Sequence, residues 1–209
     1  MNSKYDDFDY TIGVDEVGRG AWAGPIVGAA VAWPTHDLPS IPNAIHIQDS
    51  KKLLEHQREE AGAFLRSKFL HSIFGVSPES IMCSGIQEAN RRCLQGAMRR
   101  IVRQLQGKSY KILIDGRPIY SPGMAPIHFL IKGDAHEEAI AAASIIAKTY
   151  RDAYMRRLAK KYSSYAFEKN KGYGTKEHYR AIMKYGTCPI HRKNFEPMKS
   201  LTDGIGARV

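Results

Sequence analysis

Three short apolar runs, each leading to an acidic side chain, constrain this chain more than any other feature. "DYTIGVD" (9–15) leads into the adjacent pair Asp15 and Glu16, "YKILIDG" (110–116) into Asp115, and "IHFLIKGD" (127–134) into Asp134. Runs of this length, rich in β-branched residues and bounded by glycine, are the pattern of buried strands whose ends open onto a site. "PIVGAAVAW" (25–33) reads as a strand that follows the first across a glycine-rich loop, and "HSIFGVS" (71–77) reads as another. Apolar spacing predicts helices over 53–69, 85–105 and 137–162. Strands that come first and then alternate with helices give an α/β protein built on one sheet.

If the acidic strand ends are neighbours, four carboxylates converge on one small volume. Like charges raise each other's pKa, and buried charges need compensation. A divalent cation supplies it. An all-oxygen, carboxylate-rich site suits Mg²⁺ or Mn²⁺, and no His/Cys set in the chain has the spacing of a zinc site. Two such ions can flank a phosphodiester, one activating water and the other stabilising the leaving oxygen. Residues i and i+1 of a regular strand point to opposite faces, so Asp15 and Glu16 are expected where the first strand ends or bulges. Asp134, just before a helix, has a second reading as a turn former or N-cap.

Charge suggests the partner. Lys and Arg number 31 against 21 Asp and Glu, a formal net charge of +10, which favours a polyanion such as nucleic acid. "RRLAKK" (156–161), with Lys169, Lys171, Lys176 and Arg180, reads as a basic shelf that positions a duplex by its phosphates without reading sequence. Cys83, Cys93 and Cys188 form no C-x-x-C pair and are read as free buried thiols of a reducing compartment. The N-terminus lacks the features of a signal peptide, and no run approaches the roughly 18 apolar residues of a membrane helix. A cytoplasmic protein without a membrane partner is expected. The 209 residues are expected to form a single domain, with a basic C-terminal helical portion at about 160–200. No G-x-G-x-x-G or P-loop spacing occurs, which removes the kinase and dinucleotide-binding readings of "GRGAWAG".

The motifs also carry a resemblance. "GVDEVGRGAWAGPIVGAAV", "DSKKL" (49–53), "LIDG" (113–116), "IKGDA" (131–135), "AAASIIAKTYRD" (141–152), "KGYGTKEH" (171–178) and "CPIHRKNF" (188–195) stand in the order of the motifs of the ribonuclease HII family, the type 2 ribonucleases H, and the likeness runs from about residue 11 to 198. It implies a ribonuclease H-like mixed sheet flanked by helices, followed by a C-terminal helical portion. It also implies endonucleolytic hydrolysis of the RNA strand of RNA/DNA hybrids, with cutting 5′ to single ribonucleotides in duplex DNA and release of 3′-hydroxyl and 5′-phosphate ends. Asp15, Glu16, Asp115 and Asp134 fall where the family holds two divalent ions. Gly18, Arg19, Gly20 and Tyr173 fall where it reads the ribose 2′-hydroxyl, the group that distinguishes RNA from DNA. The glycines are expected to let the backbone approach a sugar, and Lys51 is expected at a phosphate.

Two rivals compete with this reading. Ribonuclease HIII shares the acids but adds an N-terminal domain, whereas fourteen residues precede Asp15 here. A catalytically inactive nucleic-acid-binding protein of the same fold is the alternative from a different class. Asp152 would lie roughly 20 Å along a helix from its start, at about 1.5 Å per residue, and is read as a partner for nearby arginines. His178 and His191 are read as nucleic-acid or packing residues. A monomer is expected, and a replication clamp is left open as a partner because "SLTDGIGARV" offers no clear clamp-binding peptide.

Overall fold

The structure is a computed structural model that describes residues 8–47, 52–116, 127–196 and 198–200. Its framework is a five-stranded mixed sheet in the order β3-β2-β1-β4-β5. The strands are β1 (Tyr10–Val17), β2 (Ile26–Pro34), β3 (His71–Val76), β4 (Tyr110–Asp115) and β5 (Ile127–Leu130). β1 pairs antiparallel with β2 and parallel with β4, and β4 pairs parallel with β5. The helices are α1 (Glu55–Lys68), α2 (Pro78–Ser84), α3 (Ile86–Gln104), α4 (Glu138–Lys161), α5 (Phe167–Asn170) and α6 (Lys176–Tyr185). The α/β expectation holds, and the three long helices fall within the ranges that spacing gave them. Helix α2 was not anticipated, although Ser77 before Pro78 is an N-cap followed by a first-turn proline, and the Ser77 hydroxyl accepts the Ser80 amide at 3.2 Å.

The chain organises as two compact units. Unit 1 comprises residues 1–17, 27–74 and 91–149, and carries the sheet. Alternation sorts its strand residues by face. Ile12, Val14, Ala30, Ala32, Ile112 and Ile114 pack with Leu94, Ala97, Met98 and Ile101 of α3. On the other face Ala29, Val31 and Trp33 meet Ala61 and Leu65 of α1 and Ala139, Ala142, Ala143 and Ile146 of α4. Gly13 makes that second layer possible, because a Cβ there would lie 2.0 Å from the backbone carbonyl of Ala139. Only glycine lets the start of α4 lie against β1.

Unit 2 comprises residues 18–26, 75–90 and 150–209. Its core gathers Ala23, Met155, Tyr165, Phe167, Ile182 and Met198. The basic portion expected at about 160–200 lies here. Of the cysteines, Cys93 and Cys188 are buried free thiols, whereas Cys83 is exposed. Among the described residues no helix is long and apolar enough to cross a membrane.

Candidate active site

The acids of unit 1 are set by the register of three strands. The last rung between β1 and β4 joins Val14 to Ile114, so Asp15 and Asp115 follow at the same level of two parallel neighbours. Asp115 in turn pairs with Leu130 of β5. Its Oδ1 accepts the Gly133 amide at 2.8 Å, which ties the 3₁₀ turn Gly133–Ala135, and Asp134 within it, to the end of β4. Both Asp15 and Asp134 are buried.

One expectation about these acids is met at a strand end, and another needs correcting. β1 does not bulge at Asp15 and Glu16, but it ends one residue beyond them, at Val17, with regular pairing to β2 through Asp15–Ala29, Glu16–Gly28 and Val17–Val27. The pair therefore divides between the two faces. Asp15 shares the α4 face with Ala29 and accepts a hydrogen bond from Ser144, whereas Glu16 shares the face of Gly28, on which a Cβ would meet Cys93 of α3. Burial, then the Glu16 charge, pushes the Cys93 thiol well above its usual range. The β1–β4 ladder stops just before this level, at Val14–Ile114. The correction concerns Asp134, which does not close a strand: β5 stops at Leu130, and Lys132 in the left-handed region (φ 58°) turns the chain into the 3₁₀ segment.

Burial, then the neighbouring charges of Glu16 and Asp115, push the Asp15 carboxyl well above the usual carboxylate range, against hydrogen bonds from Ser144 and the Glu16 amide, the latter at 2.7 Å. Crowded, buried oxygen donors of this kind fit a hard divalent cation. Among the described residues no three His, Cys, Asp or Glu side chains already stand as a metal-holding group. The coupling seen is between Asp15 and its neighbours Glu16 and Asp115.

Unit 2 contains the glycine-rich loop and the "KGYGT" segment, bound to each other by backbone. The amides of Trp22 and Ala23 donate to the Gly172 carbonyl at 2.8 and 3.1 Å, and the Arg192 amide donates to Trp22 O at 2.8 Å. Two wholly buried arginines complete the fastening. Arg151 donates to the carbonyls of Pro25 (2.9 Å), Lys171 (2.8 Å) and Ala23 (3.1 Å), and its guanidinium lies 5.2 Å from the centroid of the Tyr173 ring. Arg192 donates to Arg19 O at 3.0 Å and doubly to Gly24 O at 3.0 and 2.8 Å. Burial, then Arg151, holds the Arg192 guanidinium down to about 9.

The two glycines of "GRG" differ. Gly18 has φ +91° and a Cβ there would lie 2.2 Å from Arg151 Nε, so the fold itself requires glycine. A Cβ on Gly20 would meet nothing within 4 Å, and Arg19 and Gly20 are exposed. Tyr173 is half-buried.

The model of the family described as Ribonuclease HII matches residues 12–198. The chain belongs to the ribonuclease HII family. Ribonuclease HII of Halorhodospira halophila is 43% identical over 196 residues, covering 92% of this chain and 95% of the relative. Ribonuclease H2 from Pyrococcus horikoshii OT3 has a similar structure at 26% identity, TM-score 0.75, covering 94% of this chain and 99% of that one. The ribonuclease HII of Archaeoglobus fulgidus, solved in a PCNA:RNase HII complex, matches at 25% identity and TM-score 0.71 over 90% of this chain and 95% of that one. The ribonuclease HII family is divalent-metal dependent, and this member is an endoribonuclease that hydrolyses the RNA strand of RNA/DNA hybrids.

For this ribonuclease HII, sequence reasoning did not single out Ser144, Arg151 or Arg192 as supports of the site; a serine or arginine in a helical or loop run carries no signal until its partner is known. Asp152 is buried, and its charge opposes the lowering of Arg151, in keeping with the arginine-partner reading. Lys171 is turned inward, its ammonium donating to the Glu168 carbonyl, which removes it from the basic shelf. Arg157, Lys160, Lys161, Lys169, Lys176 and Arg180 are exposed. Lys51 lies outside the described residues.

Proposed function

We propose that this ribonuclease HII cuts duplex DNA on the 5′ side of a single embedded ribonucleotide as well as the RNA strand of hybrids, leaving 3′-hydroxyl and 5′-phosphate ends. The juxtaposition of Asp15 and Asp115, with Asp15 held far above its ordinary range, is the observation that carries it. Asp15, Glu16, Asp115 and Asp134 would hold two divalent ions, Mg²⁺ or Mn²⁺. When bound, such ions supply an activated water and stabilise the leaving 3′-oxygen.

The protein's own residues do the rest. Ser144 orients the Asp15 carboxylate, and the Gly133 amide orients that of Asp115. Gly18-Arg19-Gly20 and Tyr173 read the ribose 2′-hydroxyl. The open space over Gly20 supports a close backbone approach to a sugar, in a loop that Arg192 holds by the Arg19 carbonyl. The exposed lysines and arginines of α4 and α6 bear on phosphates, and Lys51 takes a further phosphate. The enzyme acts as a cytoplasmic monomer in this reading.

Tyr173 provides the test. Tyr173→Phe, which loses one hydrogen bond, should cost about 1 kcal/mol of transition-state stabilisation on a duplex carrying one ribonucleotide, and Tyr173→Ala more. Cleavage at the wild-type rate by the alanine variant would remove Tyr173 from ribose recognition.

A further inference from the structure

Unit 2 contains two histidines that the acid site does not use. His178 of α6 and His191 are wholly buried among Trp22, Tyr165 and Phe167, and their Nε2 atoms are 3.0 Å apart. A hydrogen bond between two such nitrogens uses one proton, so one ring donates and the other accepts.

The outer partners decide which. Nδ1 of His191 accepts the Cys188 amide at 2.9 Å, and the Cys188 thiol lies 3.1 Å from the same atom; the Cys188 carbonyl, 3.3 Å away, already accepts the His191 amide at 3.0 Å, so this nitrogen carries no hydrogen. His191 therefore has its proton on Nε2 and donates to His178. Nδ1 of His178 lies 2.9 Å from the Tyr173 carbonyl, which can only accept, so His178 has its proton there and its Nε2 receives. Both rings are neutral, and the donors all point one way, from Cys188 to Tyr173. Because glycines flank Tyr173 on both sides, its backbone relies on such contacts for its position. The Thr175 amide meets the same carbonyl at 3.0 Å.

We propose that His178, backed by His191, is a positioning residue for ribose recognition: its Nδ1–H holds the Tyr173 carbonyl and so fixes where the phenol stands. The inference rests on the assignment of Tyr173 to the ribose 2′-hydroxyl. His178 acts through Tyr173 and does not touch the substrate.

Side-chain mimicry separates this role from simple packing. Asparagine places an amide N–H near the Nδ1 position and glutamine near the Nε2 position, so His178→Asn keeps the bond to Tyr173 and His178→Gln gives it up. The readout is kcat/KM on a single-ribonucleotide duplex, per folded enzyme, set against the inhibition constant of the matching all-DNA duplex. His178→Asn should stay within about threefold of the wild-type ratio, whereas His178→Gln should lose about tenfold, the effect of one hydrogen bond. A wild-type ratio for His178→Gln, or equal losses in both variants, would overturn the proposal. Tyr173→Ala, measured alongside, separates the two ideas: if it also keeps the wild-type ratio, the ribose assignment itself has failed, whereas if it alone loses the ratio, only the positioning role has. A readout needing no variant is the ¹⁵N spectrum of the wild-type imidazoles. It should show His178 as the Nδ1–H tautomer and His191 as the Nε2–H tautomer, and the reverse pattern would contradict the proposal.

Discussion

Asp15 and Asp115 stand one residue beyond the last rung joining their parallel strands, Val14 with Ile114, so two carboxylates share one level of the sheet where the ladder opens. Parallel register makes this arrangement automatic once both runs end alike. The cost is electrostatic: Asp15 is buried, beside Glu16 as well as Asp115, and its proton affinity rises accordingly.

Replacing Asp15 by asparagine removes a proposed metal ligand and relieves that crowding. A carboxyl whose folded pKa is raised above its unfolded value destabilises the fold once pH exceeds the unfolded value, so Asp15→Asn should be more stable than wild type at neutral pH with metal chelated. Its thermal midpoint should rise by about 2–4 °C for each kcal/mol relieved, while hydrolysis in Mg²⁺ falls by at least about a hundredfold. Calorimetry with chelator and a cleavage assay check the two halves separately.

The histidine pair has the opposite pH sign to a histidine held in an ion pair. Burial, followed by the nearness of His178 and of Lys193, lowers His191 to about 4, below its unfolded value of roughly 6.5. The unfolded chain therefore binds the extra proton first. Stability contributed by neutral His191 is complete above about pH 6.5 and is lost as pH falls towards 4, by at most about 1.4 kcal/mol per pH unit for this one group. Denaturant unfolding across this window should show the slope, and His191→Gln should flatten it.

Phosphate contact by the exposed residues of α4 releases counterions, so affinity for hybrid should fall steeply with salt. A Lys160→Gln, Lys161→Gln double variant should reduce the slope of log affinity against log salt by up to about 2, as read by fluorescence anisotropy. An unchanged slope would take these two lysines out of the substrate contact.

Much of the fold was legible because it rests on local pattern. Apolar runs gave the five strands, amphipathic spacing gave α1, α3 and α4, and the ends of "YKILIDG" and "TIGVDE" located Asp115 and Asp15. Legibility stopped where tertiary partners decide. Nothing in "IKGDA" announces that Lys132 turns left-handed and takes Asp134 off the strand. The split of Asp15 and Glu16 between faces follows from regular β2 pairing, which sequence could not distinguish from a bulge. Arg151 and Arg192 carry no signal of their own in the sequence, and His178 and His191 read as nucleic-acid or packing residues, yet all four are buried and bond to backbone or to one another. Their roles depend on carbonyls that the loops bring to them.

The most direct measurement is cleavage of a DNA duplex carrying one ribonucleotide, in Mg²⁺, beside an all-DNA duplex and a uniform RNA/DNA hybrid, by wild type and Asp115→Asn with product ends mapped. The account requires wild type to cut the first duplex once, 5′ to the ribonucleotide, leaving a 3′-hydroxyl and a 5′-phosphate, to cut the hybrid, and to spare all-DNA, with Asp115→Asn folded and inactive. An intact single-ribonucleotide duplex, equal cutting of all-DNA, or wild-type turnover by Asp115→Asn would contradict it.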